Sequence, residues 1–301
     1  MSKTVTLIEV GPRDGLQSER SFVPTHKKIE FINLLSHSGL KHIEVTSFVS
    51  PKAIPQLADN ALVYQSIEKP EGVDFSALVP NEQGLQEALS VGIKHIATFT
   101  AASESFNQRN INCSIEQSIE RMIPVIEQAK AAHIQIRAYV SCVLGCPYEG
   151  NITPQQVIQV TERLLSLGVD EISFGDTIGV GTPKQTQALL TALKTIMPSS
   201  MIAMHFHNTY GQALANIYAS LTAGIHRFDS ATAGLGGCPY AQGATGNIAT
   251  EDVLYLMHGL GVSTGIDIYE VVKAGDMICS VLNRKNQSHV ARALLGKPDN
   301  F

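Results

Sequence analysis

The chain has 301 residues, 44% of them hydrophobic and 16% charged, a globular make-up whose length suits one or two domains. Twenty-two Lys and Arg against 27 Asp and Glu leave a net charge of −5, which argues against a nucleic-acid binder and against intrinsic disorder. No apolar run reaches the roughly 18–20 residues of a membrane span, and the five scattered cysteines (Cys113, Cys142, Cys146, Cys238, Cys279) suit reduced thiols in a cytoplasm better than a disulfide framework.

The N-terminal residues lead straight into a strand pattern, with no charged and then apolar leader. From there, short β-branched runs alternate with amphipathic stretches. The runs Val5–Val10, His42–Ser47, Val73–Val79, His95–Phe99, Ile136–Cys142, Asp170–Phe174, Ile202–His207 and Arg227–Ser230 have the length and composition of buried strands. Helical periods lie between them at Lys27–Ser38, Ala61–Ile67, Glu82–Ser90, Ser114–Ala131, Pro154–Ser166, Pro183–Thr195 and Gly211–Ala223. Ser114-Ile-Glu-Gln117 has capping-box spacing, and Thr153-Pro154 and Thr182-Pro183 place proline at a first helical position. Gly39, Gly92, Gly168 and Gly224 stand where helices should end.

Strict β–α alternation predicts a parallel sheet with helices outside it. Eight repeats favour closure into an α/β fold of the (β/α)₈ TIM-barrel class, with a doubly wound open sheet as the alternative. Residues 1–248 are expected to form the barrel. Residues 249–301, with helical patterns at Thr250–Gly259, Ile268–Leu282 and Ser288–Leu295, are expected to be a C-terminal helical extension packed on it.

In such a barrel, chemistry belongs where strands run out into the following loops. His205 and His207 lie two apart on the seventh run, so they point the same way and can converge on one cation. Two histidines satisfied by core hydrogen bonds are the plainer alternative. Asp14 and Asn247 fall on neighbouring barrel ends. Two imidazoles, a carboxylate and an amide oxygen suit Mg²⁺ or Mn²⁺ better than a closed structural zinc, with Zn²⁺, Fe²⁺ or Co²⁺ also able to occupy the site.

Arg13, in the tight Gly11-Pro-Arg-Asp-Gly15 turn, offers a planar permanent charge that suits a carbonyl developing negative charge. A surface ion pair with Asp14 is the alternative. Glu44 lies inside an apolar strand and needs a partner, either Arg13 or a metal-bound group. Asp176 is similarly placed after the sixth run, and for either acid a capping or loop role is as consistent as catalysis. Cys238 stands among Gly234, Gly236, Gly237, Gly243 and Gly246, which reads as a plain flexible loop, a phosphate cradle or a mobile lid. Cys142 and Cys146 lack further closely spaced ligands and read as ordinary core or loop thiols.

Together, Glu9–Gln17, Thr46–Lys52, Asn110–Ser114, Tyr139–Cys142, Leu144–Gly150, Gly175–Pro183, Thr209–Asn216 and above all Gly234–Asp252 resemble the 3-hydroxy-3-methylglutaryl-CoA lyase family. The matching strings span nearly the whole chain and are too long for chance. The resemblance implies a TIM barrel that uses a divalent cation to cleave (S)-3-hydroxy-3-methylglutaryl-CoA into acetyl-CoA and acetoacetate. Carried over by position, Asp14, His205, His207 and Asn247 would hold the metal. Arg13 would stabilise the enolate of the departing acetyl-CoA, and Cys238 would protonate it or help to do so. Glu44 and Asp176 would complete the acid–base and orienting network, and His205 would also shuttle a proton. Gln17, Ser47, Asn283 and Lys285, with Arg13, resemble substrate-contacting positions.

The same resemblance leads us to expect a cytoplasmic homodimer that takes a CoA thioester and engages neither nucleic acid nor membrane. The chain ends without the cysteine and peroxisomal tail of animal forms, so neither thiol regulation through such a tail nor peroxisomal delivery is expected. Pyruvate- or acetyl-CoA-handling synthases of the same superfamily share the early Arg-Asp and the late His-x-His. The glycine-rich segment around Cys238 is what favours the lyase. A lyase for a related branched 3-hydroxyglutaryl-CoA stays open, because the width of the side-chain pocket is not readable in the sequence.

Overall fold

The structure, a computed structural model, describes residues 4–237 and 246–296. Eight parallel strands, β1 (Thr6–Glu9), β2 (His42–Ser47), β3 (Asp74–Leu78), β4 (His95–Ala101), β5 (Gln135–Ser141), β6 (Glu171–Asp176), β7 (Ile202–Phe206) and β8 (Arg227–Ser230), pair in chain order. The eighth pairs back onto the first, so the sheet is a closed barrel. The predicted strands all form, with ends that move by a few residues at most.

Side-chain alternation sorts each strand into two faces. On β6, β7 and β8 the residues Ile172, Phe174, Met204, Phe206 and Phe228 are all fully buried. Their alternates Glu171, Ser173, Ala203, His205, Arg227 and Asp229 make the opposite face. Burying each large apolar side chain under the helices contributes roughly 1.5–3 kcal/mol, and the polar set is left to face the barrel axis.

Helices α1 (Thr25–Ser36), α2 (Asn60–Ser66), α3 (Glu82–Ser90), α4 (Glu104–Ile111), α5 (Ile115–Ala131), α6 (Pro154–Leu167), α7 (Pro183–Leu193) and α8 (Ala213–Thr222) link the strands. The Ser114–Gln117 and Thr153–Gln156 capping boxes form as their spacing predicts, and α6 ends on Gly168 in the left-handed region. The short helix α4 has no counterpart among the predicted helical periods. Its sequence buries only Phe106 and Asn107, too little for an apolar stripe, and it is defined instead by the Ser103 cap and a left-handed stop at Asn112.

Two local irregularities prepare the site. At Gly11–Gly15 the chain makes one π-helical turn, with the N–H groups of Arg13, Asp14 and Gly15 all donating to the carbonyl of Val10. Strand β2 shifts register against β3 between Glu44 and Thr46, which bends a strand next to the functional face.

After β8 come α9 (Thr250–Gly259), α10 (Ile268–Leu282) and α11 (His289–Leu295). Helix α10 packs against α1 and α9, and the Asp267 N–H donates to the Ser38 carbonyl at 2.7 Å. Asp252 fastens the start of α11 by accepting from Ser288 Oγ at 2.7 Å and Val290 N–H at 2.9 Å. Among the described residues no helix is long and apolar enough to cross a membrane.

Candidate metal and substrate site

The carboxyl ends of the strands bring Asp14 (after β1), His205 (on β7) and His207 (just past β7) together. One potential ligand atom from each lies within 4.8 Å of the other two. The two imidazoles converge, with ring centroids 5.2 Å apart and planes tilted by 49°. Asn247 joins from the loop after β8, donating from Nδ2 to Asp14 Oδ2 at 2.8 Å and to the Leu235 carbonyl at 3.2 Å. It also bridges to His207 through the backbone.

The electrostatics of the cluster favour a cation. Burial alone would push the Asp14 carboxyl up, but the charges of Arg13 and His205, the Asn247 amide and His207 outweigh it and hold the pKa below the usual carboxylate range. Burial and the neighbouring His205 bring His207 down to about 4, so its imidazole is neutral and ready to ligate. Its Nδ1 is buried with no hydrogen-bond partner among the described residues. A carboxylate, two imidazoles and an unsatisfied ring nitrogen in one place fit a divalent metal ion.

Against this cluster stands Arg13. Its Nη1 donates to Asp14 Oδ1 at 2.9 Å, and its Nε donates to Glu44 Oε1. Glu44 is wholly buried, as a carboxylate within an apolar strand must be paired to be, and its second oxygen accepts from Tyr139 OH at 3.1 Å. The Tyr139 ring lies under the Arg13 guanidinium at 5.4 Å, so the cation is held on three sides. Asp176, at the end of β6, accepts from the Gly181 N–H at 2.9 Å. Burial, opposed by the N–H groups of Gly181, Val180 and Gly179, lifts it to about 6.

Among the described residues, Gln17 Oε1, Ser47 Oγ and Asp176 Oδ1 are likewise buried without partners, a costly state that a bound ligand would relieve. Asn283 and Lys285 are both exposed, on either side of Arg284. It is Arg284 that reaches inward, pairing with Glu19 and donating to the Gly234 carbonyl at 3.4 Å. Cys238 and Gly243 lie outside the described residues. Cys142 and Cys146 are buried, and burial pushes the Cys142 thiol well above its ordinary range.

Sequence reasoning passes over several groups packed around the site. Tyr139, Arg137, Ser173 and Asp229 project inward from β5, β6 and β8. Their one signal is a polar residue at the inward parity of an otherwise apolar run. Glu9 stands out in the sequence only as part of a motif, yet it is buried and accepts from Gly11 N–H, Thr232 N–H, Thr232 Oγ1 and Thr250 Oγ1 at 2.6–2.9 Å. It ties the turn that carries Arg13 and Asp14 to the loop after β8. Beneath that loop, Glu251 accepts from the Ala233 N–H at 3.0 Å, and burial raises it to about 8.

Comparison with known proteins agrees with this geometry. A protein of Pseudomonas aeruginosa named 3-hydroxy-3-isohexenylglutaryl-CoA/hydroxymethylglutaryl-CoA lyase is 54% identical over 99% of both chains. The crystal structure of hydroxymethylglutaryl-CoA lyase from the same organism superposes with a TM-score of 0.96, covering 98% of each chain at 54% identity. An HMG-CoA lyase from Acinetobacter baumannii, solved in complex with coenzyme A and 3-methylmalate, is 35% identical with a TM-score of 0.92, over 99% of this chain and 97% of that one. The profile of the HMGL-like family matches residues 4–278, and the chain belongs to that family.

Proposed function

We propose that this protein is a divalent-metal-dependent carbon–carbon lyase that cleaves (S)-3-hydroxy-3-methylglutaryl-CoA into acetyl-CoA and acetoacetate. The observation that carries this reading is the contact between Arg13 and Asp14 at 2.9 Å, which sets a fixed positive charge beside a convergent Asp–His–His cluster. Asp14, His205 and His207, with the Asn247 amide, would hold the ion, Mg²⁺ or Mn²⁺ by the hardness of its oxygen donors. When bound, such an ion supplies the Lewis acidity that makes a tertiary hydroxyl easier to deprotonate.

The remaining work falls to the side chains. Asp176, with an unpartnered oxygen and a pKa of about 6, takes the proton from the C3 hydroxyl. As the C2–C3 bond breaks, C3 becomes the ketone of acetoacetate and the electron pair passes to the thioester enolate. Arg13 stabilises that negative charge, a role worth roughly 3–4 kcal/mol for one oriented donor. Glu44 and Tyr139 keep the guanidinium in place, and Cys238 delivers the proton that completes acetyl-CoA. Gln17 and Ser47 orient the substrate through their unsatisfied buried oxygens, and Asn283 and Lys285 meet the outer part of the CoA thioester. We place the enzyme in the cytoplasm as a homodimer, as the resemblance of its sequence implies.

The test is acetoacetate release from the CoA thioester by the purified protein, with and without chelator. A 3-isohexenyl analogue belongs in the same assay, because the Pseudomonas aeruginosa relative carries that substrate in its name. Full activity after exhaustive demetallation would overturn the proposal.

A further inference from the structure

Asp229 on β8 plays no part in the chemistry above, yet both of its oxygens are engaged inside the barrel. It is 1% exposed and stands in register beside His205 on β7. Its Oδ2 lies 3.2 Å from His205 Nδ1 and accepts from Ser173 Oγ at 2.7 Å. The Ser173 hydroxyl reaches across β7 at Ala203, its register partner, a residue too small to block the way. The other oxygen, Oδ1, accepts from Arg137 Nη2 at 2.5 Å. Arg137 is itself paired through Nε with Glu171 at 2.9 Å and lies over the Tyr139 ring at 4.9 Å. The carboxylate therefore has no rotational freedom, and it grips one nitrogen of one histidine.

We propose that Asp229 is a positioning residue for the metal site. It holds His205 with Nδ1 directed into the barrel, so that Nε2 is the atom offered to the ion, while Arg137 and Ser173 hold Asp229. Carboxylate partners of this kind orient a ligating imidazole and raise its basicity, and their loss loosens metal by about 10–100-fold. The inference rests on the metal reading given above. The two histidines of the cluster differ accordingly, because among the described residues His207 Nδ1 has no hydrogen-bond partner.

The test is Mn²⁺ titration of the metal-free full-length protein, read by the electron paramagnetic resonance of free Mn²⁺. Asp229→Asn should weaken binding by about 10–100-fold and alter the visible spectrum of the Co²⁺-loaded protein. In a His205→Ala background the same substitution should cause no further loss, whereas a purely structural acid would weaken both backgrounds alike. Should Asp229→Asn fail to fold, Ser173→Ala removes only one bond to the oxygen that faces His205, and it should still loosen Mn²⁺ several-fold. Parent-like affinity in a folded Asp229→Asn or Ser173→Ala protein, or equal losses in both backgrounds, overturns the inference. A parent protein that does not bind Mn²⁺ at all overturns the metal reading beneath it.

Discussion

The side-chain amide of Asn247 lies 2.8 Å from Oδ2 of Asp14, joining two residues 233 positions apart. With its second hydrogen on the Leu235 carbonyl, the amide group is fixed. Gly15 lies directly under Leu235, where any Cβ would come within 2.6 Å of the Leu235 side chain. The turn after β1 and the loop after β8 are thus packed as one unit. Asn247→Ala should weaken Mn²⁺ binding by about tenfold with little change in thermal stability, measured by titration of the metal-free protein. Unchanged affinity would remove Asn247 from the metal site.

Arg13→Met should abolish turnover, with a fall in kcat of at least about 10²–10³-fold, while Mn²⁺ still binds. Arg13→Lys should rescue little, because an ammonium cannot span Glu44 and Asp14 as the planar guanidinium does. Steady-state kinetics beside a metal titration separate the two effects. Near-parental kcat in the Met variant would leave the enolate without its proposed partner.

Glu44→Ala strips the guanidinium of its buried counter-charge and Tyr139 of its acceptor. Removing one member of a buried ion pair is strongly destabilising, and we expect a loss of about 3 kcal/mol in urea unfolding. A loss below about 1 kcal/mol, the level of an average substitution, would show that Arg13 is held without Glu44.

Glu251 predicts a pH dependence of stability. Burial raises its pKa from the ordinary 4.5 to about 8, so between those values the folded protein binds a proton that the unfolded chain has lost. Its contribution is therefore fully present below pH 4.5 and declines as pH rises towards 8. A tenfold difference in proton affinity between the folded and unfolded chains is worth about 1.4 kcal/mol. With Glu9 sharing the effect, the decline should be on the order of 2–4 kcal/mol. Urea midpoints at pH 5 and pH 8 should differ in the parent and differ less in Glu251→Gln. Equal slopes in the two proteins would refute it.

Much of the candidate site was legible from strand ends alone. His205 and His207 share a face because strand side chains alternate, and Asp14 follows the first strand directly, so local spacing was enough to nominate them. The partner of Glu44 could be narrowed to Arg13 or a metal-bound group by the cost of an unpaired buried carboxylate, and the structure supplies Arg13 together with Tyr139. The inward turn of Arg284, between the exposed Asn283 and Lys285, is a tertiary contact with Glu19 that the local sequence does not announce. The single π-helical turn at Gly11–Gly15 reads in the sequence only as a tight loop, because nothing in five residues distinguishes the two.

What the sequence determined by itself was the repeat: eight apolar runs alternating with helical periods, several with their caps, and candidate donors for a cation at three of the run ends. Those properties are local, set by side-chain period and backbone preference within a few residues. The tertiary structure alone decided which inward polar groups would meet. Arg137 on β5 and Asp229 on β8 are 92 residues apart in the chain yet touch across the axis. Closure of the sheet, the register of each pairing and the displaced residue in β2 determine such contacts, and none of these is a property of any short stretch of chain.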